Sequence, residues 1–190
     1  MKKLRFAFLG YGPDQTSLVD EILTRGHTVE CIREPISDLS TFDRTISFGY
    51  RHILRQPTLD TAQVPVLNLH MSLLPYNRGS HPNFWAWAEG TPHGVTLHEM
   101  TSGLDEGPIV SQKEISFQNE TISLRESYEV LFLGLEQLFR ENFPTIENGN
   151  WKAIPQTGQP TLHKSHDLPN WLTSWDMPAL TAKKKYRTCR

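Results

Sequence analysis

Residues 64–74 read Val-Pro-Val-Leu-Asn-Leu-His-Met-Ser-Leu-Leu, a run apolar enough to lie inside a sheet yet polar at alternate positions through its middle. Side chains alternate faces along a strand, so Asn68, His70 and Ser72 share one face and Leu67, Leu69, Met71 and Leu73 the other. Burying an amide, an imidazole and a hydroxyl costs on the order of a few kcal/mol unless each finds a partner. The run therefore implies an interior strand with a polar row that the fold must satisfy or use. Any one of these residues alone reads as a satisfied core group. Three together, followed by Pro75, Arg78 and Gly79, read as a site.

The flanking pattern is that of an α/β protein. Residues 4–9 form a short apolar run ending at Gly10-Tyr11-Gly12, followed by Leu18, Val19, Ile22 and Leu23 at helical spacing and by Gly26 as a stop. Further strands are expected over 27–32, over 45–48 and in the run ending at Asn68, giving a Rossmann-like open sheet. Ligands of such sheets gather beyond the carboxyl ends of the strands, where Gly10, Gly49 and Asn68 would lie. After Pro82 a short helix carries Phe84, Trp85 and Trp87. Residues 95–100 and 109–117 read as two more strands, joined by a loop holding Asp105 and Gly107. Ser123 and Glu126 form a capping-box pattern at the head of a long helix with the stripe Leu124, Tyr128, Leu131, Phe132, Leu135, Leu138 and Phe139. From Gly149 onward periodicity fades, and that stretch is expected to wrap the surface or extend away.

At 190 residues the chain suits one domain with a substantial core. Its formal charge of −2 leaves no global footprint for nucleic acid, and Lys183, Lys184, Lys185, Arg187 and Arg190 read as a solvated basic tail. Cys31 and Cys189 stand far apart without CxxC spacing, which fits a reducing, cytoplasmic setting. The opening Met1-Lys2-Lys3 imitates a signal peptide only until Gly10 and Pro13 interrupt the apolar run, and no other stretch approaches a membrane span. Trp85, Trp87, Trp171 and Trp175 would fill the core, pin the tail or build a homodimer surface.

Three chemistries compete for these residues. Gly10-Tyr11-Gly12, with Glu30 downstream, invites dinucleotide binding, but Gln15 occupies the third glycine position and Pro13 disturbs the turn. Metal binding is invited by His70, His81, His93, His98, His163 and His166. Yet the residue two before His70 is Asn68, a poor zinc ligand, and His163 and His166 have no cysteine nearby, so no metal is expected. An oxyanion reading fits better. Asn68 offers an amide N–H, His70 an imidazole N–H, and Asp105 could hold and charge that imidazole if its loop returns to the strand end. Such parts suit acyl transfer to an amine through a tetrahedral intermediate, with no activated serine or cysteine needed. Ser72 lacks a Gly-x-Ser-x-Gly elbow and reads as support, as do Thr96 and His98, alternate residues of one strand face that could orient Asp105 or its water.

Asn68-Leu-His70-Met-Ser72-Leu-Leu-Pro75, Arg78-Gly79, Pro82, Trp85-Ala86, Gly94-Val-Thr96-Leu-His98 and Asp105-Glu-Gly107-Pro108-Ile109 stand in that order. Together they resemble the formyltransferases that use 10-formyltetrahydrofolate. The resemblance is close over residues 44 to 117 and looser at the first strand. It implies folate-dependent formyl transfer to an amine, with Asn68, His70 and Asp105 as the catalytic set. It also implies that Tyr50, Arg51, His52, Ile53 and Leu54, after Gly49, and Gly103 hold the folate, and that Gly10, Tyr11, Gly12, Arg78 and Gly79 face the acceptor. On this reading residues 1–165 form the catalytic domain and 166–190 an extension or tail.

Departures from the family pattern narrow the acceptor. The stretch before Thr45 is short, as if one βα unit were missing, so the N-terminal half is abbreviated. The first loop lacks the phosphate cradle of glycinamide ribonucleotide transformylases, and no tRNA-binding second domain is expected. The segment Gly158-Gln-Pro-Thr161-Leu-His163-Lys164-Ser-His166-Asp167-Leu168 resembles the stretch that closes the catalytic domain in enzymes formylating nucleotide-linked amino sugars, and that acceptor is expected. Glycinamide ribonucleotide or another small amine, and a non-catalytic folate-binding homologue, are the alternatives.

Overall fold

Phe6 and Phe8 point to one side of β1 (Arg5–Gly10) and Ala7 and Leu9 to the other, and all four are fully buried, which places β1 inside a sheet covered on both faces. The computed structural model describes residues 2–118 and 121–189. Met1 and Arg190, part of the leader-like start and basic end read above, lie outside the described residues. β2 (Thr28–Ile32) and β3 (Arg44–Phe48) flank β1 in parallel, and β4 (Leu67–His70) lies parallel to β3. β6 (Gly94–Glu99) then joins β4 antiparallel, and β7 (Ile109–Glu114) joins β6 antiparallel, so the sheet order is β2-β1-β3-β4-β6-β7. The open α/β sheet expected from the sequence is present, with an antiparallel pair at its far side. A small separate ribbon pairs β5 (Arg78–Gly79) with β8 (Leu162–His163).

One face of the sheet is covered by α1 (Leu18–Thr24) and α4 (Leu124–Asn148), whose Leu18, Ile22, Leu131, Leu135 and Phe139 pack on Phe6 and Phe8. The chain between β2 and β3 contains no helix. Leu39 and Phe42 from that short irregular stretch are buried beside Ala7, Leu9, Leu54 and Val66 instead, so a βα unit can be dropped without baring the second face. The capping box is formed as expected: Ser123 Oγ accepts from Glu126 N, and the Glu126 carboxylate accepts from Ser123 N.

Three expectations need correction. The strand expected to end at Asn68 runs on to His70, and the polar row read over 64–74 stops there because residues 71–77 turn away. That turn is braced by Ser72 Oγ donating to Tyr76 O at 2.6 Å and Thr96 Oγ1 donating to Ser72 O at 2.7 Å, so Ser72 leaves the polar row. The strand from Ile109 stops at Glu114 rather than Phe117. The C-terminal stretch wraps the surface and does not extend away. It contributes β8, a 3-10 turn (Ser165–Asp167) and α5 (Ala179–Thr188), whose Ala179 and Ala182 are fully buried against Phe84, Trp85 and Trp87 of α3 (Pro82–Glu89). Only the outer side of α5 presents the lysines to water.

Inside the apolar stripe of α4 sits a carboxylate the pattern did not reveal. Glu136, 5% exposed, accepts from Thr16 Oγ1 at 2.7 Å and from Ser17 N and Oγ at 2.9 Å, taking the place of a side-chain cap at the start of α1. Burial works against its charge, but the bonds from Thr16 and Ser17 and the charge of Arg140 outweigh that and hold it below its usual value of 4.5. Glu136→Ala is expected to destabilise the protein by about 1–3 kcal/mol in urea unfolding, by leaving the buried Thr16 hydroxyl and the part-buried Ser17 N–H unpaired. Because the folded-state pKa is depressed, this stabilisation is present above the ordinary glutamate value and is lost as pH falls through the lower folded one.

Candidate active site

Antiparallel pairing of β4 and β6 sets Asn68 opposite His98 and His70 opposite Thr96, so the four side chains stand on one face as cross-strand neighbours. The β6–β7 loop brings Asp105 back over them. Its Oδ1 accepts from Asn68 Nδ2 at 3.2 Å and lies 3.4 Å from His98 Nε2, while its Oδ2 accepts from Gly79 N at 2.8 Å and lies 3.5 Å from His70 Nδ1. Two backbone devices aim this carboxylate. Asp105 itself adopts φ +52°, and at Gly107 a Cβ would stand 1.7 Å from Glu99 O, so only glycine permits that approach. Gln156 holds the loop from outside, its Nε2 donating to both Asp105 O and Gly107 O at 2.8 Å. Nothing in the spacing of the sequence marks Gln156 for this task.

Hydrogen bonds assign the protons. His70 Nε2 lies 2.9 Å from the carbonyl of Asn77 and must donate to it, which leaves Nδ1 facing Asp105. The sequence reading gives His70 an N–H for an oxyanion; here its two nitrogens address Asn77 O and Asp105, because the buried Nε2–H finds its partner in the turn after β4. His98 Nδ1 donates to Glu99 O at 2.8 Å, so in the neutral ring Nε2 accepts from the Asn68 amide at 3.2 Å. Burial pushes the His70 pKa down, against the pull of Asp105. Burial also disfavours the Asp105 carboxylate, but nearby His70 and His98, together with the Gly79 N–H, hold the group ionised well below the usual carboxylate range. The Gly79 and Asn68 bonds to Asp105 do not depend on the charge of His70.

Asn68, His70 and Asp105 line a cavity of about 840 Å³ beyond the carboxyl ends of β3 and β4. Tyr50, Arg51, His52, Ile53, Leu54 and Gly103 line the same cavity. The 50–54 segment is anchored by Tyr50 Oη donating to Glu34 O at 2.8 Å and by Leu54, 2% exposed in the core, whereas Ile53 is 78% exposed. Among the described residues no helix is long and apolar enough to cross a membrane.

The formyl transferase family profile matches residues 35–129. Among solved structures, the formyltransferase PseJ from Anoxybacillus kamchatkensis, in complex with UDP-4,6-dideoxy-4-formamido-L-AltNAc and tetrahydrofolate, is 33% identical over 94% of this chain and 98% of that one, with a TM-score of 0.86. The chain belongs to the formyltransferase family. A sugar N-formyltransferase from a Shewanella species is 16% identical with a TM-score of 0.76, covering 95% of this chain and 87% of that one. The N-formyltransferase of Helicobacter canadensis, in complex with folinic acid and dTDP-3-aminofucose, is 21% identical with a TM-score of 0.69, covering 98% and 82%. At these lower identities the last two speak for the fold alone.

The remaining predicted residues of the formyltransferase divide by position. Tyr11 lines a second, smaller cavity, whereas Gly10 and Gly12 line neither; Gly10, at φ +103°, lets β1 approach β3 where a Cβ would meet Phe48 O at 2.3 Å. Gly79 lines the large cavity and is a donor to Asp105. Arg78 donates through Nε and Nη2 to Gln156 Oε1 at 3.2 and 2.8 Å, so this formyltransferase uses it to brace the Asp105 loop. Thr96 accepts from Leu74 N and Gln112 Nε2 besides holding Ser72 O. It supports the turn after β4 and not Asp105, while His98 alone reaches the carboxylate.

Proposed function

We propose that this formyltransferase moves the formyl group of 10-formyltetrahydrofolate to the amine of a nucleotide-linked amino sugar. The observation that carries this reading is its likeness to PseJ along nearly the whole chain, since that structure holds a formamido sugar nucleotide and tetrahydrofolate together. The large cavity supports it, joining the Tyr50–Leu54 segment to the Asn68–Asp105 cluster in one space. Folate, on this reading, lies along residues 50–54 and Gly103 and presents its formyl carbon to Asn68.

The unprotonated amine attacks the formyl carbon and forms the new C–N bond. The carbonyl electron pair moves onto oxygen, and the Asn68 amide turns an N–H toward that oxyanion. Asp105 accepts the N–H of the attacking amine and, directly or through water, its proton, with His70 Nδ1 facing the same carboxylate. Collapse re-forms the carbonyl, breaks the bond to the folate nitrogen and returns the proton to that leaving nitrogen. Residues 1–165 carry this chemistry in our reading, with 166–190 as an extension that packs on α3.

Competition tests the acceptor. Purified protein is given 10-formyltetrahydrofolate and equal amounts of UDP- and dTDP-linked amino sugars and glycinamide ribonucleotide, and products are read by mass spectrometry. Formylated sugar nucleotides should dominate. A higher specificity constant for glycinamide ribonucleotide than for every amino sugar nucleotide would replace this reading.

A further inference from the structure

Beside the large cavity opens a second one of about 400 Å³, and Met71, His81 and Pro82 wall both. A molecule whose amine reaches Asn68 and Asp105 therefore lies next to it, against the same three residues. Its far wall is made by Tyr11, Phe84, Tyr128 and Trp175, with Arg125 at the start of α4. Three features of this wall define what it can hold.

The first is flatness. His81 and Trp175 stack with ring centroids 5.5 Å apart at 26°, and Trp175 remains 37% exposed, so a further planar ring can pack on the shelf they form. The second is charge. Burial pushes the His81 pKa down, and Arg125, the other ionisable nitrogen base among the described lining residues, has its Nε 2.6 Å from Asp176 Oδ1. A wall so neutralised does not call a diphosphate inward, although a guanidinium retains donors beyond the one used and can meet a phosphate outside. The third is hydrogen bonding. Asn83 is already committed, donating to Leu124 O and accepting from Ser127. Tyr11 and Tyr128 share one bond between their hydroxyls at 3.1 Å, and whichever donates, the other retains an O–H to offer. Burial and the Tyr11 bond push the Tyr128 pKa up, so it stays a phenol.

We propose that this pocket holds the nucleobase of the acceptor, stacked on the Trp175–His81 shelf with a ring carbonyl accepting from the Tyr11–Tyr128 pair. The inference rests on the amino-sugar-nucleotide reading above and adds to it where the nucleotide is recognised. The sugar then lies over Met71 and Pro82 between the two cavities, and the diphosphate lies outward toward Arg125.

Isothermal titration of the whole protein with UDP and dTDP, which carry no amine, tests the pocket apart from the reaction. Both should bind. Trp175→Ala should weaken UDP about tenfold to a hundredfold, the scale of one base stacked on an aromatic ring, and Trp175→Phe should recover most of it. With an amino sugar nucleotide and donor present, the loss should fall on acceptor KM rather than on kcat. Tyr128→Phe, which removes only the hydroxyl, should weaken UDP several-fold and decides the matter if Trp175→Ala fails to fold. No binding of UDP or dTDP, or unchanged affinity in folded Trp175→Ala and in Tyr128→Phe, overturns the proposal. The two readings also fail separately. Amino sugar nucleotides formylated with KM untouched by these variants would leave the acceptor standing and the pocket wrong, whereas UDP bound through Trp175 with no amino sugar formylated would leave the pocket standing and the acceptor wrong.

Discussion

Asn68→Ala is expected to lower kcat about a hundred- to a thousandfold, the usual cost of removing one oxyanion donor from a water-poor site. The amide stands on β4 and bonds to Asp105 Oδ1 and to His98 Nε2. The His70 Nε2–H is held at 2.9 Å by the buried Asn77 O, whereas the two Asn68 bonds are longer, at 3.2 Å, and the one to Asp105 is released when that carboxylate takes up the amine, freeing an N–H for the developing charge. Tetrahydrofolate affinity should change by less than about threefold, because the proposed folate wall comes from residues 50–54 and Gly103 rather than from β4; a loss confined to kcat is the mark of an interaction made only in the transition state. Steady-state rates at saturating donor and acceptor, with tetrahydrofolate titrated by calorimetry, check both halves. A kcat close to that of the unaltered enzyme would remove Asn68 from the mechanism.

Asp105→Asn should lower the rate by about 10²–10⁴-fold, the range of a lost proton-accepting group. Asparagine is among the few residues that tolerate the left-handed backbone found here at φ +52°, so this substitution removes the charge with little strain. The sign of its second effect is set by electrostatics. The carboxylate favours the charged form of His70, and the amide does not, so the His70 pKa should fall further below its ordinary value. NMR titration of the ring protons in both proteins measures this directly. An unchanged or raised pKa would show that Asp105 and His70 are not electrically coupled.

Much of this arrangement is legible in the sequence, for reasons that differ from residue to residue. Alternation alone places Asn68 and His70 on one strand face, and the order of motifs places Asp105 within reach of them. The capping box at Ser123 marks α4 because its chemistry is local. What escapes notice depends on contacts between distant segments. α5 hides because its buried face is two alanines among lysines, too slight an apolar pattern to register. Glu136 looks like one more polar residue of α4 until α1 is laid against it. The end of β4 at His70 is equally hidden, since the turn that follows is braced by the side chains of Ser72 and Thr96 rather than by glycine at the bend. Arg78 and Gln156 show the same limit: their partnership joins positions 78 residues apart.

The β5–β8 ribbon carries a consequence for how this protein comes into being. All six strands of the main sheet lie between Arg5 and Glu114, so the scaffold is encoded well ahead of β8. Gly79, whose N–H fixes Asp105, is itself fixed by pairing with His163, and Asn77 N donates to Thr161 across 84 positions. Gln156, the other hold on the Asp105 loop, also comes late. During synthesis the sheet can close while the carboxylate still lacks its supports, because the residues that aim it follow the sheet strands in the chain. The proposed catalytic set thus takes its final form after the sheet, once residues 156–163 are in place.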